Sequence, residues 1–64
     1  MSEPANDHEV ISAMQRFGGS FVKALGVAAS FADEINLTKL KAAWPDYWKE
    51  YADVVVVLRE RRPS

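Results

Sequence analysis

The chain has 64 residues, a net charge of -1, one histidine and no cysteine. The lack of cysteine excludes disulfides and thiolate metal sites, and a single histidine, His8, is too few for an imidazole metal site. The hydrophobic share of 48% is typical of a folded chain, and no apolar run approaches the roughly 20 residues that span a membrane. Because a domain of this length buries only about 60% of its unfolded surface, we expect either efficient helix packing or self-association.

The first predicted helix runs from about residue 7 to residue 17. Its apolar residues recur at spacings of three and four, which is the helical period: Val10, Ile11, Met14 and Phe17. Asn6 or Asp7 can cap this helix, since both side chains accept hydrogen bonds from first-turn amides. Gly18 and Gly19 follow, and each costs a helix about 1 kcal/mol. We therefore predict a stop or a sharp kink at the two glycines.

The second predicted helix begins at Ser20, a residue type that favours the capping position. One face is expected to carry Phe21, Leu25, Ala28 and Ala32, with Val22 and Ala29 beside them. The segment is also rich in small residues: Ala24, Gly26, Ala28 and Ala29. Small side chains let backbones come close, so we expect another helix to approach this one closely.

Two more helices are predicted in the second half of the chain. Asp33 can cap the third, and Leu37, Leu40 and Trp44 continue the helical spacing. Pro45 ends that helix and can begin a fourth, because proline is disfavoured inside a helix and favoured at its first position.

A run of four consecutive valines at residues 54–57 favours a strand by propensity. The helical spacing nevertheless continues through this run from Tyr47 and Tyr51 to Val55 and Leu58. A lone strand would also have no partner elsewhere in the chain. We therefore predict that the fourth segment is helical.

Four large aromatic residues lie within eight positions: Trp44, Tyr47, Trp48 and Tyr51. This is more aromatic volume than the core of so short a chain easily holds. We expect at least two of them to pack in the core on Phe21, Leu25 and Leu40. The remainder are predicted to form a partner-binding surface, since Trp and Tyr are enriched at binding hot spots.

No catalytic, cofactor-binding or metal site is predicted. Asp7, His8 and Glu9 are neighbours in sequence and point in different directions on a helix. The turn at Gly18 and Gly19 lacks the lysine and hydroxyl spacing of a phosphate loop. Basic residues, which nucleic-acid domains concentrate on one face, alternate here with acids.

Residues 17–25, Asp33 and residues 40–51 together resemble small uncharacterised proteins encoded by bacteriophages and prophages. In those proteins a stretch similar to Gly18–Leu25 precedes an aromatic-Pro-acidic-Tyr-Trp stretch such as the one that begins at Trp44. The resemblance covers roughly residues 16–51, and the valine run and the arginines that follow it lie outside. It carries no known activity. What it implies is a phage setting and a short accessory protein that acts by binding a host or phage component.

We therefore expect an all-α fold, a compact bundle of three to four short helices, in a single domain spanning residues 1–64. Residues 1–6 and 61–64 are expected to be flexible, and the helix from Pro45 is expected to pack across the helix from Ser20. With no export signal at the start, the predicted location is the host bacterial cytoplasm.

The predicted function is that of a non-enzymatic phage or prophage accessory protein acting by protein–protein interaction, such as inhibition of a host factor or defence complex. Its expected partner is a host or phage protein, and a homodimer is also considered. Binding to nucleic acid or to a membrane is not expected. The alternatives are a small DNA-associated regulator and a minor structural or assembly protein of the virion.

Overall fold

The computed structural model describes residues 5–61, and this part of the chain forms four α-helices. They are α1 (Asp7–Phe17), α2 (Ser20–Phe31), α3 (Glu34–Ala43) and α4 (Pro45–Arg61). The prediction of an all-α bundle is confirmed, and the valine run at residues 54–57 is helical. Most of the predicted flexible ends, residues 1–4 and 62–64, lies outside the described residues. Of the rest, Ala5 packs against the core, Asn6 caps α1, and Arg61 is the last residue of the fourth helix.

The helix starts are fixed by side-chain caps at two of the predicted positions. The Asn6 carboxamide accepts a hydrogen bond from the Glu9 amide at 2.9 Å, and the Glu9 carboxylate accepts one from the Asn6 amide at 3.1 Å. This reciprocal pair is a capping box. Asp33 caps α3 by accepting from the Asn36 amide at 2.8 Å. The prediction that Ser20 caps α2 is wrong, because the cap is Gly19, which has no side chain to donate or accept.

The central element of the bundle is α1, which packs extensively against both α2 and α4. Its buried residues are Val10, Ile11, Ala13 and Met14. The helix from Pro45 was predicted to pack across the helix from Ser20, and this is wrong. Because the apolar arc of α1 is wide enough to receive a helix on each side, α4 packs on α1 instead.

Gly26 is a point of close approach between α2 and α1. A Cβ atom added there would lie 3.0 Å from the Met14 Cβ and 3.0 Å from the Gln15 Cγ. Gln15 also donates a hydrogen bond from its Nε2 to the Gly26 carbonyl at 3.1 Å. The close helix approach predicted from the small residues of α2 therefore occurs at this glycine.

The buried face of α2 differs from the predicted one because it is centred on Gly26. It consists of Val22, Leu25, Gly26 and Ala29. Leu25 is buried as expected, whereas Phe21 and Ala28 are exposed. The offset follows from α1 approaching at Gly26, which rotates Phe21 away from the core.

α3 is the least packed helix and contains no buried residue. Leu37 and Leu40 are partly buried against the core. By contrast, Ile35 remains 69% exposed, and Phe31, just before α3, is 85% exposed. The edge of the bundle where α2 turns into α3 is therefore apolar and open to solvent.

Candidate protein-binding surface

Two of the four aromatic residues predicted to bind a partner lie in the core. Trp48 is 9% exposed and Tyr51 is 8% exposed, and both belong to the cluster of buried residues around α1. Trp48 and Tyr51 therefore do not belong to an exposed contact surface, contrary to the prediction, because a buried ring cannot reach a partner without unpacking. The expectation that at least two of the four rings pack in the core is met by this pair.

The Trp48 side chain is held from two sides by charged residues. Its indole Nε1 donates a hydrogen bond to the Asp7 carboxylate at 3.2 Å. The Lys41 Nζ lies 3.0 Å from the same carboxylate and 5.8 Å from the centre of the Trp48 ring. The helices α1, α3 and α4 thus meet at Asp7. The Asp7 carboxylate holds the indole N–H edge of Trp48 in place. This cluster could not be predicted from the sequence, because its members lie 34 and 41 residues from Asp7.

The remaining two aromatics join a third ring at the surface. The Phe21 ring centre lies 5.2 Å from that of Trp44, with an edge-to-face angle of 68°, and 5.9 Å from that of Tyr47. Trp44 and Tyr47 are 6.0 Å apart. Phe21 is 53% exposed and Trp44 is 39% exposed, whereas Tyr47 is half-buried. We call these three residues the aromatic surface.

The aromatic surface is assembled from three segments of the chain. Phe21 is in the first turn of α2, Trp44 follows the last residue of α3, and Tyr47 is in the first turn of α4. The bend at Trp44 and Pro45 turns the chain so that Trp44 and Tyr47 face the same ring. Phe21 was predicted to be a core residue, so its part in an exposed cluster was missed.

A second ion pair holds the C-terminal half of α4 against α1. Arg59 donates from Nη2 to both Glu9 carboxylate oxygens, at 2.7 and 2.9 Å. The hydrogen bond from the Asn6 amide, followed by that from Arg59, lowers the pKa of Glu9. Glu9 therefore serves both as part of the α1 cap and as the anchor of α4.

A groove of about 360 Å³ lies between α1 and α4. Its apolar lining includes Phe17 and Leu58, and its basic lining includes Arg16 and Arg59. A second groove, of about 530 Å³, lies between α2 and α3. It is lined by Ala28, Phe31, Ala32, Asn36, Lys39, Leu40 and Ala43. Neither groove was predicted from the sequence. Phe17, which lines the first groove, was predicted to lie on the apolar stripe of α1.

Within residues 5–61, no group of three or more His, Asp or Glu side chains is placed to hold a metal ion. In the same part of the chain, no helix combines the length and the apolar character needed to cross a membrane. No protein-family model matches the chain, and no curated protein or solved structure matches it. These comparisons leave the predicted resemblance to phage-encoded proteins untested, so it stays a prediction.

Proposed function

We propose that this chain is a non-enzymatic accessory protein of a phage or prophage, acting in the host cytoplasm by binding a host or phage protein through the aromatic surface. The setting comes from the sequence resemblance. The binding mode is supported by one observation: Phe21, Trp44 and Tyr47 contact one another while much of Phe21 and Trp44 stays exposed.

The mutual contacts of the three rings matter for affinity. Ring pairs at such distances are worth about 0.5–1.5 kcal/mol beyond their burial, so the rings are held in place before a partner arrives. Side chains that are already ordered lose little conformational entropy on binding. Trp and Tyr side chains in such positions are frequent binding hot spots. A preorganised aromatic surface of this kind suits a protein partner with an apolar pocket or groove, such as a subunit of a host enzyme or defence complex.

The test is affinity capture of the tagged protein from lysate of infected host cells, comparing the wild type with Trp44→Ala and Val57→Ala. Val57 is a matched control, since it is also a half-exposed apolar residue but lies in the C-terminal half of α4. We expect one stoichiometric protein partner that Trp44→Ala loses and Val57→Ala keeps. Far-UV circular dichroism checks that both variants fold.

Other results would contradict the proposal. A partner retained by Trp44→Ala would exclude the aromatic surface as its binding site. Recovery of DNA, with retention that falls steeply as salt rises, would favour the DNA-associated regulator. Incorporation into purified phage particles would favour a virion protein.

A further inference from the structure

The groove between α1 and α4 combines an apolar lining with exposed positive charge. Its apolar residues are Ala13, Phe17, Val55 and Leu58. Ala13 is buried, whereas Phe17 is 51% exposed and Leu58 is 47% exposed. Apolar side chains thus stay open to solvent inside a recess. Small-molecule sites in proteins have this form, a mostly apolar lining with a few charged or polar groups that orient the ligand.

The positive charge of this groove is concentrated at one arginine. The titratable residues of the lining are His8, Glu9, Arg16 and Arg59. Glu9 is paired with Arg59 at 2.7 Å, whereas Arg16 is exposed and has no oppositely charged partner within 4 Å among residues 5–61. The Arg16 guanidinium lies 5.5 Å from the centre of the Phe17 ring, beside the apolar lining.

The end of α1 offsets only part of this charge. Arg16 is in the last turn of the helix, where the dipole is equivalent to roughly half a negative elementary charge. The groove therefore keeps net positive charge at the Arg16 guanidinium, which is available to an anion from solvent.

The dimensions of the groove suit a small molecule with a single chain. Its volume of about 360 Å³ lies near the lower end of the range of about 300–1,000 Å³ that ligand sites occupy. Its lining spans residues 8–17 of α1, which is about 14 Å of helix, but only residues 55–59 of α4, which is about 6 Å. An alkyl chain, one carbon atom wide, fits a recess that is longer along one helix than along the other.

We infer that this groove binds a free medium-chain fatty acid, with its alkyl chain on Phe17, Val55 and Leu58 and its carboxylate accepting hydrogen bonds from Arg16. The guanidinium presents a planar fork of donors that matches the two oxygens of a carboxylate. Each methylene that leaves water for the apolar lining adds to the affinity. An alkyl cation of the same length is repelled by Arg16, and a short anion gains nothing from the apolar residues.

The experiment titrates the full chain with decanoate and follows the backbone amide signals by NMR. Two matched probes separate the contributions, since acetate has the carboxylate without the chain and decylammonium has the chain with the opposite charge. We expect saturable shifts with decanoate, centred on residues 8–17 and 55–59. Decylammonium should bind at least about tenfold more weakly, and acetate should give no saturable shift.

Three variants test the named side chains. Arg16→Gln should weaken decanoate binding about tenfold without weakening decylammonium. Leu58→Ala should weaken both chain-bearing probes, because it shortens the apolar lining. Lys49→Gln is the matched control, since it removes an exposed cation of α4 outside the groove and should leave decanoate binding unchanged. Circular dichroism checks that all three variants fold.

The inference and the proposed function fail independently, because they use different residues. Trp44→Ala, which removes part of the aromatic surface, should bind decanoate as the wild type does. Loss of a protein partner in that variant therefore says nothing about the groove, and loss of decanoate binding in Arg16→Gln says nothing about the aromatic surface.

Several results would overturn the inference. They are the absence of saturable decanoate binding, equal affinity for decanoate and decylammonium, and an Arg16→Gln variant that binds decanoate like the wild type. Shifts centred on the groove between α2 and α3 would place the ligand elsewhere. A second arm sediments the chain with phosphatidylglycerol vesicles, and we expect it to stay in the supernatant. Pelleting that Arg16→Gln abolishes would instead assign the groove to a membrane surface.

Discussion

The indole nitrogen of Trp48 lies 3.2 Å from the carboxylate of Asp7, which precedes it by 41 residues. This hydrogen bond ties the first turn of α4 to the first turn of α1. The ring below it packs with Tyr51 in the core. As a result, α4 begins in a fixed position, and Tyr47 on the same turn is directed to the aromatic surface with Phe21.

Replacing Asp7 with alanine should destabilise the fold by about 1 kcal/mol, because Trp48 loses its acceptor and Lys41 its ion pair. The Asp7→Asn variant keeps an oxygen that can accept from the indole, so its loss should be smaller. Urea unfolding followed by circular dichroism measures both. Equal stability of Asp7→Ala and the wild type would show that the contact contributes nothing.

The two tryptophans should differ sharply in their effect on stability. Trp48→Ala removes a buried ring, and we expect a loss of about 3–5 kcal/mol, enough to unfold much of so small a domain. Trp44→Ala removes a partly exposed ring, and the expected loss is about 1 kcal/mol. Thermal and urea unfolding of the two variants side by side provide the comparison. Similar losses of stability in the two variants would contradict the assignment of Trp48 to the core and of Trp44 to the surface.

The two adjacent glycines should also behave differently. Both have negative φ angles, so neither is required by backbone conformation. A Cβ atom at Gly18 would lie 2.6 Å from the Met14 carbonyl oxygen, whereas one at Gly19 would meet nothing within 4 Å. Gly18→Ala should therefore lower the free energy of unfolding by about 1–3 kcal/mol. Gly19→Ala, the control, should change it by less than about 1 kcal/mol; the reverse order would refute the steric argument.

Stability should fall in acid partly through Glu9. Hydrogen bonds from the Asn6 amide and then from Arg59 lower its pKa in the folded chain relative to the ordinary value of 4.5. A lowered pKa means that the stabilisation is present above the ordinary value and is lost as the pH falls through the lowered one. Glu9→Gln should accordingly be less stable than the wild type at pH 7, with the difference shrinking below about pH 4. Urea midpoints measured across this range test it, and a difference that is independent of pH would contradict it.

Local features of the fold could be predicted from the sequence because their causes are local. Asn6 and Asp33 cap the helices that follow them, and Pro45 separates α3 from α4. Each depends on hydrogen bonds or steric contacts within a few residues. The valine run was resolved correctly because the helical spacing extends beyond it.

The site could be predicted only in part, because burial depends on which helix packs where. The spacing of Trp44, Tyr47, Trp48 and Tyr51 places them on one helical arc but does not say which end of the arc α1 covers. The approach of α1 at Gly26 turns Phe21 outward. The Asp7 contact draws Trp48 inward. Both depend on pairs distant in sequence, which a single sequence does not reveal.

The most direct test of the aromatic surface as a protein-binding site is site-specific photo-cross-linking in infected host cells. A benzophenone-bearing phenylalanine analogue replaces Phe21 in one variant and Val57 in the other, so the same chemistry is compared on the aromatic surface and away from it. We expect one covalent protein adduct from position 21 and none from position 57. Equal adducts from both positions, or none from position 21 in a folded protein, would contradict it.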